Sequence, residues 1–409
     1  MLAIGSIAGM AVGSRAQAET QYTPSVSLTQ RYDSNVFNTA NKFVPQGSQK
    51  WDLVSTVGAK LALLNKSRLG DTALRAGVDG NVYAYNTYLS YASTNVLASS
   101  DVTDWAHELL PGLKLRISDA FRYTPQQSAF MGVGTRISNT LQNEPNVFFR
   151  GIQGARANTY SNNFFTEGGY SFSRSVGLRA NYNYSILHIG RLYVNQASTA
   201  ALNYFDTQVH NVTSGPTYTF YDGDTLFLKF SYLNAHQTNT AGQRPSINFT
   251  AESIQPEYVM KIVRDWTATI SGGATIVEQV SNRTFFSGNF SLINDFDRQT
   301  RVEISVSRQA APAYIGIGGA MISNVAGLDV SHGFSRVVRL TVTGNYAHNE
   351  SAPVKVFTIE TIRGSAVLDY NLTRSTKLSL SQEYGHFNIT GIPSFDRLIT
   401  MLMVSIEWN

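Results

Sequence analysis

The chain has no cysteine. That excludes disulfides, Cys-ligated zinc, iron–sulfur clusters and thioether-attached haem. It is also short of charge: 15% of its 409 residues are Asp, Glu, Lys or Arg, against roughly 25% in soluble domains. Beyond the N-terminal segment no stretch approaches the about 18 consecutive apolar residues of a membrane-crossing helix. If the chain enters a bilayer, it does so as strands. Disorder is excluded by 22 Phe, 21 Tyr and 4 Trp, because disordered chains carry few aromatics. The net charge of +4 allows a nucleic-acid partner, but no Lys/Arg run supports one.

Catalytic chemistry is equally scarce. The histidines (His107, His188, His210, His236, His332, His348 and His386) are scattered, without H-E-x-x-H or close ligand spacing. They read as structural, several of them at outer strand ends. Gly316-Ile317-Gly318-Gly319 reads as an external loop, with Met321 where the third Gly of G-x-G-x-x-G would stand. No P-loop or G-x-S-x-G elbow is present. His348 with Glu350, or His386 near Asp396, could serve a rim-type enzyme, but no nucleophile motif accompanies them. The expectation is no enzyme, no cofactor and no metal. Asn211-Val212-Thr213 and Asn371-Leu372-Thr373 match glycosylation acceptors but fall inside expected strands.

What the chain does have begins with a processing signal. Leu2 to Val12 is apolar and Ala16-Gln17-Ala18 is an A-x-A cleavage pattern, so residues 1–18 read as a signal peptide whose basic n-region is missing. From Glu19 onward, period-2 alternation recurs. Arg301-Val302-Glu303-Ile304-Ser305-Val306-Ser307 shows Val, Ile and Val on one face and Arg, Glu and Ser on the other. Eighteen such segments are expected between about residues 22 and 408, the fourth at 105–118 and the fifth at 119–128, divided by a turn at Ser118-Asp119. Tight joints alternate with mostly longer polar ones, including 86–104 and, longest, about 129–155. This is the rhythm of an outer-membrane barrel, with short periplasmic turns and longer external loops. The expectation is an all-β, transmembrane, antiparallel up-and-down barrel over residues 19–409, with both termini periplasmic.

The terminal strand, ending Glu407-Trp408-Asn409, carries a penultimate aromatic of the kind read by the barrel-assembly machinery. Outer-membrane lipid and lipopolysaccharide would surround such a barrel. Asp33-Ser34-Asn35-Val36-Phe37 and Asp119-Ala120-Phe121-Arg122-Tyr123-Thr124-Pro125 resemble segments of the porin-2-like family of Gram-negative β-barrel porins. Relatives there include barrels associated with exopolysaccharide export and exosortase systems. The resemblance implies a passive conduit for hydrophilic solutes or, in one branch, export of an anionic exopolysaccharide with periplasmic polysaccharide-export proteins. A structural or adhesive barrel is a third alternative. Solute, pore size and oligomeric state are not encoded in any motif.

If the apolar parity faces lipid, the other lines a lumen. Lys60, Arg75, Lys114, Arg116, Arg122, Arg179, Lys261, Arg301, Arg339 and Lys377 all fall on it near expected short turns. They would form a basic ring inside the periplasmic mouth. The ring either concentrates anions or is merely a solvated, partly paired lining. The loop at 129–155 is expected either to fold inward as a constriction or to remain an external loop. As a constriction, its charges would be Arg136, Glu144 and Arg150, with Phe148-Phe149 anchoring it to the wall.

Overall fold

The computed structural model describes residues 19–68, 70–124, 157–192, 204–221, 223–239, 246–263, 265–295, 299–313 and 318–408. The segment read as a signal peptide lies outside them, as does the expected constriction loop with Arg136, Glu144, Phe148, Phe149 and Arg150.

Eighteen antiparallel strands run in chain order around a closed ring. The first six are β1 (Glu19–Asp33), β2 (Asp52–Ser67), β3 (Gly70–Tyr83), β4 (Tyr91–Asp101), β5 (Leu113–Thr124) and β6 (Ala157–Ser171). The next six are β7 (Val176–Leu192), β8 (Phe205–Thr219), β9 (Thr225–Asn239), β10 (Ile247–Val263), β11 (Trp266–Glu278) and β12 (Asn282–Asp295). The last six are β13 (Thr300–Pro312), β14 (Ala320–Gly333), β15 (Val338–Ala352), β16 (Thr358–Asn371), β17 (Thr376–Ile389) and β18 (Ile392–Glu407). Pairing of β1 with β18, from Ser25↔Glu407 to Asp33↔Ile399, closes the ring. Closure removes the free edges that hydrocarbon does not tolerate.

Alternation sets the two faces. Val26, Leu28, Val57, Leu61, Ile304, Val306, Leu402 and Val404 are exposed on the outside of the wall. Outward aromatics form two bands. Tyr22, Phe172, Tyr218, Phe334, Tyr370 and Trp408 ring the short-turn end, and Tyr32, Trp51, Tyr85, Tyr160, Tyr346 and Tyr384 ring the loop end. Trp51 packs against Tyr32 and Tyr85, with ring centroids 6.2 and 4.6 Å away. Along β1 the bands are about ten residues apart. At about 3.4 Å per residue and a tilt of about 40°, they bracket about 25 Å of apolar wall, the height of an outer-membrane barrel's lipid band.

The fourth and fifth strands differ from the sequence-based expectation. Residues 103–109 form a short helix, α1 (Thr103–Leu109), in the turn between them, and β4 lies upstream at Tyr91–Asp101. The stretch Tyr91-Ala92-Ser93-Thr94-Asn95 alternates too weakly to stand out, whereas Trp105, Leu109 and Leu110 supply apolar residues at helical spacing. Ser118-Asp119 is no turn. Leu115, Ile117, Asp119 and Phe121 continue one parity through it, and Asn162 Nδ2 donates to Asp119 Oδ1 at 2.9 Å. The β2–β3 turn needs its glycine: Gly70 has φ +140°, and a Cβ there would lie 2.0 Å from the Asp101 carbonyl oxygen.

The two parities predict opposite responses to one charge. Val342→Lys, pointing outward between the aromatic bands, should destabilise the barrel by about 2–4 kcal/mol. Thr341→Lys, one residue away on the lumen side, should change stability by less than about 1 kcal/mol. Urea unfolding in vesicles, followed by tryptophan fluorescence, measures both.

Candidate functional site

The lumen is polar over most of its length from the short-turn end. The register places all ten candidate basic residues on the inward parity, but they do not form one ring. Arg122 lies near the loop end of β5, because that strand begins at Leu113 rather than after Ser118. Lys60 is mid-strand in β2. Four others carry carboxylate partners: Arg116–Asp101 (2.8 Å), Arg179–Glu167 (2.6 Å), Arg301–Glu303 (3.0 Å) and Lys377–Asp369 (2.9 Å). Arg75, Lys114, Lys261 and Arg339 make no ion pair among the described residues, and they stand on β3, β5, β10 and β15 around the short-turn mouth. Deeper in the lumen, Lys229 pairs with Glu257 and Arg363 with Glu383.

At the loop end the inward parity changes character. Leu187, Val209, Leu233, Ala235, Phe249, Val277, Ile359 and Phe387 all point inward and are buried in one cluster. Ala40 and Phe43 of the first loop join them, as do Ala313 and Phe357 from later loops. Burial pushes the phenol pKa of Tyr204, in the same cluster, well above its ordinary value. A second cluster, Val36, Phe37, Val54, Tyr83 and Leu89, covers the β2–β3 side.

One hairpin supplies the centre of this plug. The ladder between β12 and β13 runs from Asp295↔Arg301 to Gly288↔Arg308 and stops there. Arg308 fills the break: Nε donates to the Phe286 carbonyl (3.1 Å) and Nη1 to Asn324 Oδ1 (2.6 Å). Beyond it, Ala320, Met321 and Ile322 are all at most 1% exposed. Successive residues buried on both faces mean that the described ends of the hairpin, Ala313 and Gly318 to Ile322, lie inside the wall. There, Gln237 Nε2 donates to the Ala313 carbonyl (2.8 Å), Gln237 Oε1 accepts from the Gly319 amide, and Gln279 Oε1 accepts from the Ala320 amide (3.3 Å). Gly318 has φ +69°, and a Cβ there would strike Phe205 and Ile247 at 2.9 and 2.8 Å. The glycine run read as an external loop is thus, at Gly318-Gly319, an internal contact. Arg283 of β12 meets Glu350 of β15 (3.0 Å) across the departed hairpin, and Lys355 holds the same carboxylate (3.0 Å).

The first loop is held inward by a buried ion pair. Arg397 Nη2 and Nε donate to Asp33 Oδ2 and Oδ1 at 2.7 and 3.1 Å, with side chains 3% and 0% exposed. Asp33 Oδ1 also accepts the Asn35 amide (3.1 Å), while Asn35 Nδ2 donates to the Thr39 and Asp396 carbonyls (2.9 and 3.2 Å). Asp33-Ser34-Asn35-Val36-Phe37 is therefore a folding device, two polar anchors followed by two apolar ones. Nearby, Asp52 accepts from the backbone amides of Ala84, Tyr85 and Asn86 (3.0, 3.0 and 2.7 Å), tying the second loop to the first. Burial lowers the pKa of Lys50 in the first loop, opposed by Asp396. Sequence inspection missed Arg397, Gln237 and Asp52, since an isolated polar residue at a strand end carries no pattern. Several histidines take ordinary partners, such as Asp206 for His188 (2.6 Å) and Asp396 for His386 (2.8 Å). Among the described residues no group of three or more His, Asp or Glu side chains could hold a metal.

No protein-family model matches the chain, nor does any curated protein. Among solved structures it is similar to the outer membrane protein OpdK of Pseudomonas aeruginosa, at 8% identity and TM-score 0.48 over 95% of this chain and 99% of that one. It is similar to OccK2 (OpdF) of the same organism, solved with glucuronate, at 8% identity and TM-score 0.45 over 95% and 96%. It is also similar to the FrpB iron transporter of Neisseria meningitidis, at 8% identity and TM-score 0.43, covering 90% of this chain and 62% of that one. At these identities the likeness is one of barrel architecture alone.

Removing one partner of the buried pair leaves the other without its bidentate counter-charge. Arg397→Met should cost about 3–5 kcal/mol. Adding Asp33→Leu should recover part of that loss, because the stranded carboxylate is gone. The readout is the denaturation midpoint of the folded band in cold-sample gel electrophoresis.

Proposed function

We propose that the chain is an outer-membrane channel for hydrophilic solutes, anion-preferring at its short-turn mouth and shut at rest by the inward β13–β14 tip. The observation that carries this reading is the contrast along one lumen. Polar and charged side chains predominate from the short-turn mouth, and among the described residues the large apolar cluster lies at the loop end.

The plug makes the resting state closed. Withdrawing the tip exposes Met321 and Ile322 at about 1.5–3 kcal/mol each and breaks the Gln237 bonds, so spontaneous opening is rare. The anion preference rests on Arg75, Lys114, Lys261 and Arg339, whose field in a low-dielectric wall favours anions.

The absence of native cysteine allows a clean test. With Gln237→Cys and Ala313→Cys joined by a short thiol cross-linker, planar-bilayer recordings should show no openings, and breaking a cleavable linker should restore them. Shortening the tip should give a persistently open pore. A wild-type pore that is steadily open would overturn the gate, and silence in every variant would overturn the channel. Arg75→Gln with Arg339→Gln should move the reversal potential in a KCl gradient toward zero; an unchanged potential would remove the anion preference.

A further inference from the structure

Three turns at the short-turn end share one design. Their sequences are Phe172-Ser173-Arg174-Ser175, Phe334-Ser335-Arg336-Val337 and Leu372-Thr373-Arg374-Ser375. In each, the hydroxyl of the second residue accepts two backbone amides. Ser173 Oγ takes those of Ser175 and Val176 (3.3 and 3.0 Å), and Ser335 Oγ those of Val337 and Val338 (3.2 and 3.1 Å). Thr373 Oγ1 takes those of Ser375 and Thr376 (3.1 and 2.9 Å). The carbonyl of the fourth residue then accepts an amide from the adjoining strand: Thr219 to Ser175 (2.7 Å), Asn371 to Val337 (2.8 Å) and Glu407 to Ser375 (2.8 Å).

The first and third residues are thus presented alike each time. Phe172, Phe334 and Leu372 continue the outward parity and are 64%, 62% and 50% exposed. Phe172 and Phe334 pack edge-on against Tyr170 and His332, with centroids 4.9 and 4.7 Å apart. Arg174, Arg336 and Arg374 stand exposed at the apex, with no ion pair among the described residues. Two neighbouring charges on this rim are engaged: Arg68 with Glu108 (3.1 Å), and Asp224 with the Tyr258 hydroxyl (2.6 Å), which holds that carboxyl below its ordinary pKa.

We propose that these three turns bind anionic phospholipids of the leaflet at the short-turn end. Phe172, Phe334 and Leu372 meet the upper acyl chains, and Arg174, Arg336 and Arg374 hold the phosphates. A guanidinium fork suits a phosphate oxygen pair, and an apolar residue beside it suits the boundary just beneath the headgroups. The bilayer is favoured over a soluble partner by placement. The β6–β7 turn is far around the ring from the β14–β15 and β16–β17 turns, and the apolar member of each points away from the lumen. A leaflet is the surface that meets all three from outside.

This inference rests on the membrane-barrel reading, and the experiment separates the two. The full chain is folded into nanodiscs of mixed phosphatidylglycerol and phosphatidylcholine, and the retained lipids are counted by native mass spectrometry. Wild type should retain phosphatidylglycerol preferentially. Each Arg→Gln change at 174, 336 or 374 should weaken retention at its turn about fivefold, and the triple variant should lose the preference. Arg68→Gln on the same rim should leave it intact. The turns are held by hydroxyls and backbone, so these variants still fold. A triple variant with undiminished preference, a wild type with none, or retention displaced by inorganic phosphate would overturn the proposal. Failure of the wild type to give a heat-modifiable folded band would instead overturn the membrane-barrel reading.

Discussion

Backbone hydrogen bonding in hydrocarbon is the constraint on which the rest of this molecule depends. A wall amide facing lipid has no water to turn to, so it needs a neighbouring strand. The ring closes through β1 and β18 for that reason, and closure imposes two faces with opposite tasks. The shortage of charge is the outer face's half of that division. It also limits where the ladder can end. Pairing between β12 and β13 stops at Gly288 and Arg308, beside the outward residues of the loop-end aromatic band. At that level the Arg308 side chain takes over a carbonyl that the ladder leaves behind.

A hairpin freed from the wall needs a new place for its polar and apolar groups, and residues on both sides of the break provide it. Pro312 has no N–H to leave unpaired, which suits a strand that has lost its neighbour. Met321 and Ile322 share one buried cluster with inward apolar residues of β8 to β10. The Gln237 side-chain amide supplies one donor and one acceptor to the tip. Stability of the wall and packing of the loop-end cluster are thus separate problems, solved by separate sets of residues.

Much of the barrel was legible because period-2 alternation is imposed at every strand. The number of strands, the inward parity of the basic residues and the short-turn positions follow from it. It failed at β4, where Ser93, Asn95, Ser99 and Asp101 face inward with small or polar residues also outside, so the contrast between faces vanishes. Trp105, Leu109 and Leu110 then drew the strand assignment onto a helix. The plug was illegible for a different reason. Leu187, Val209, Leu233 and Phe249 sit at polar-parity positions, and an apolar residue there reads as noise until the loop end is seen to gather them. Asp33-Ser34-Asn35-Val36-Phe37 was visible as a motif, but its role depends on Arg397, 364 residues away.

The proposed gate and the Asp33–Arg397 latch also differ in what can disturb them. The β13–β14 tip is held by apolar packing and neutral amide hydrogen bonds, neither of which is screened by salt. The Asp33–Arg397 pair is charged but sealed from solvent, so ions in the medium do not reach it. The Arg283–Glu350–Lys355 group is different, because Lys355 is about half exposed at 54%. It bridges β12 to β15 across the gap that the hairpin leaves. Ionic conditions at the loop end therefore act on the frame around the tip rather than on the tip itself. On the proposed reading, a gate built this way stays shut through changes in salt and yields to forces that draw the hairpin back toward the edge of β12 beyond Gly288.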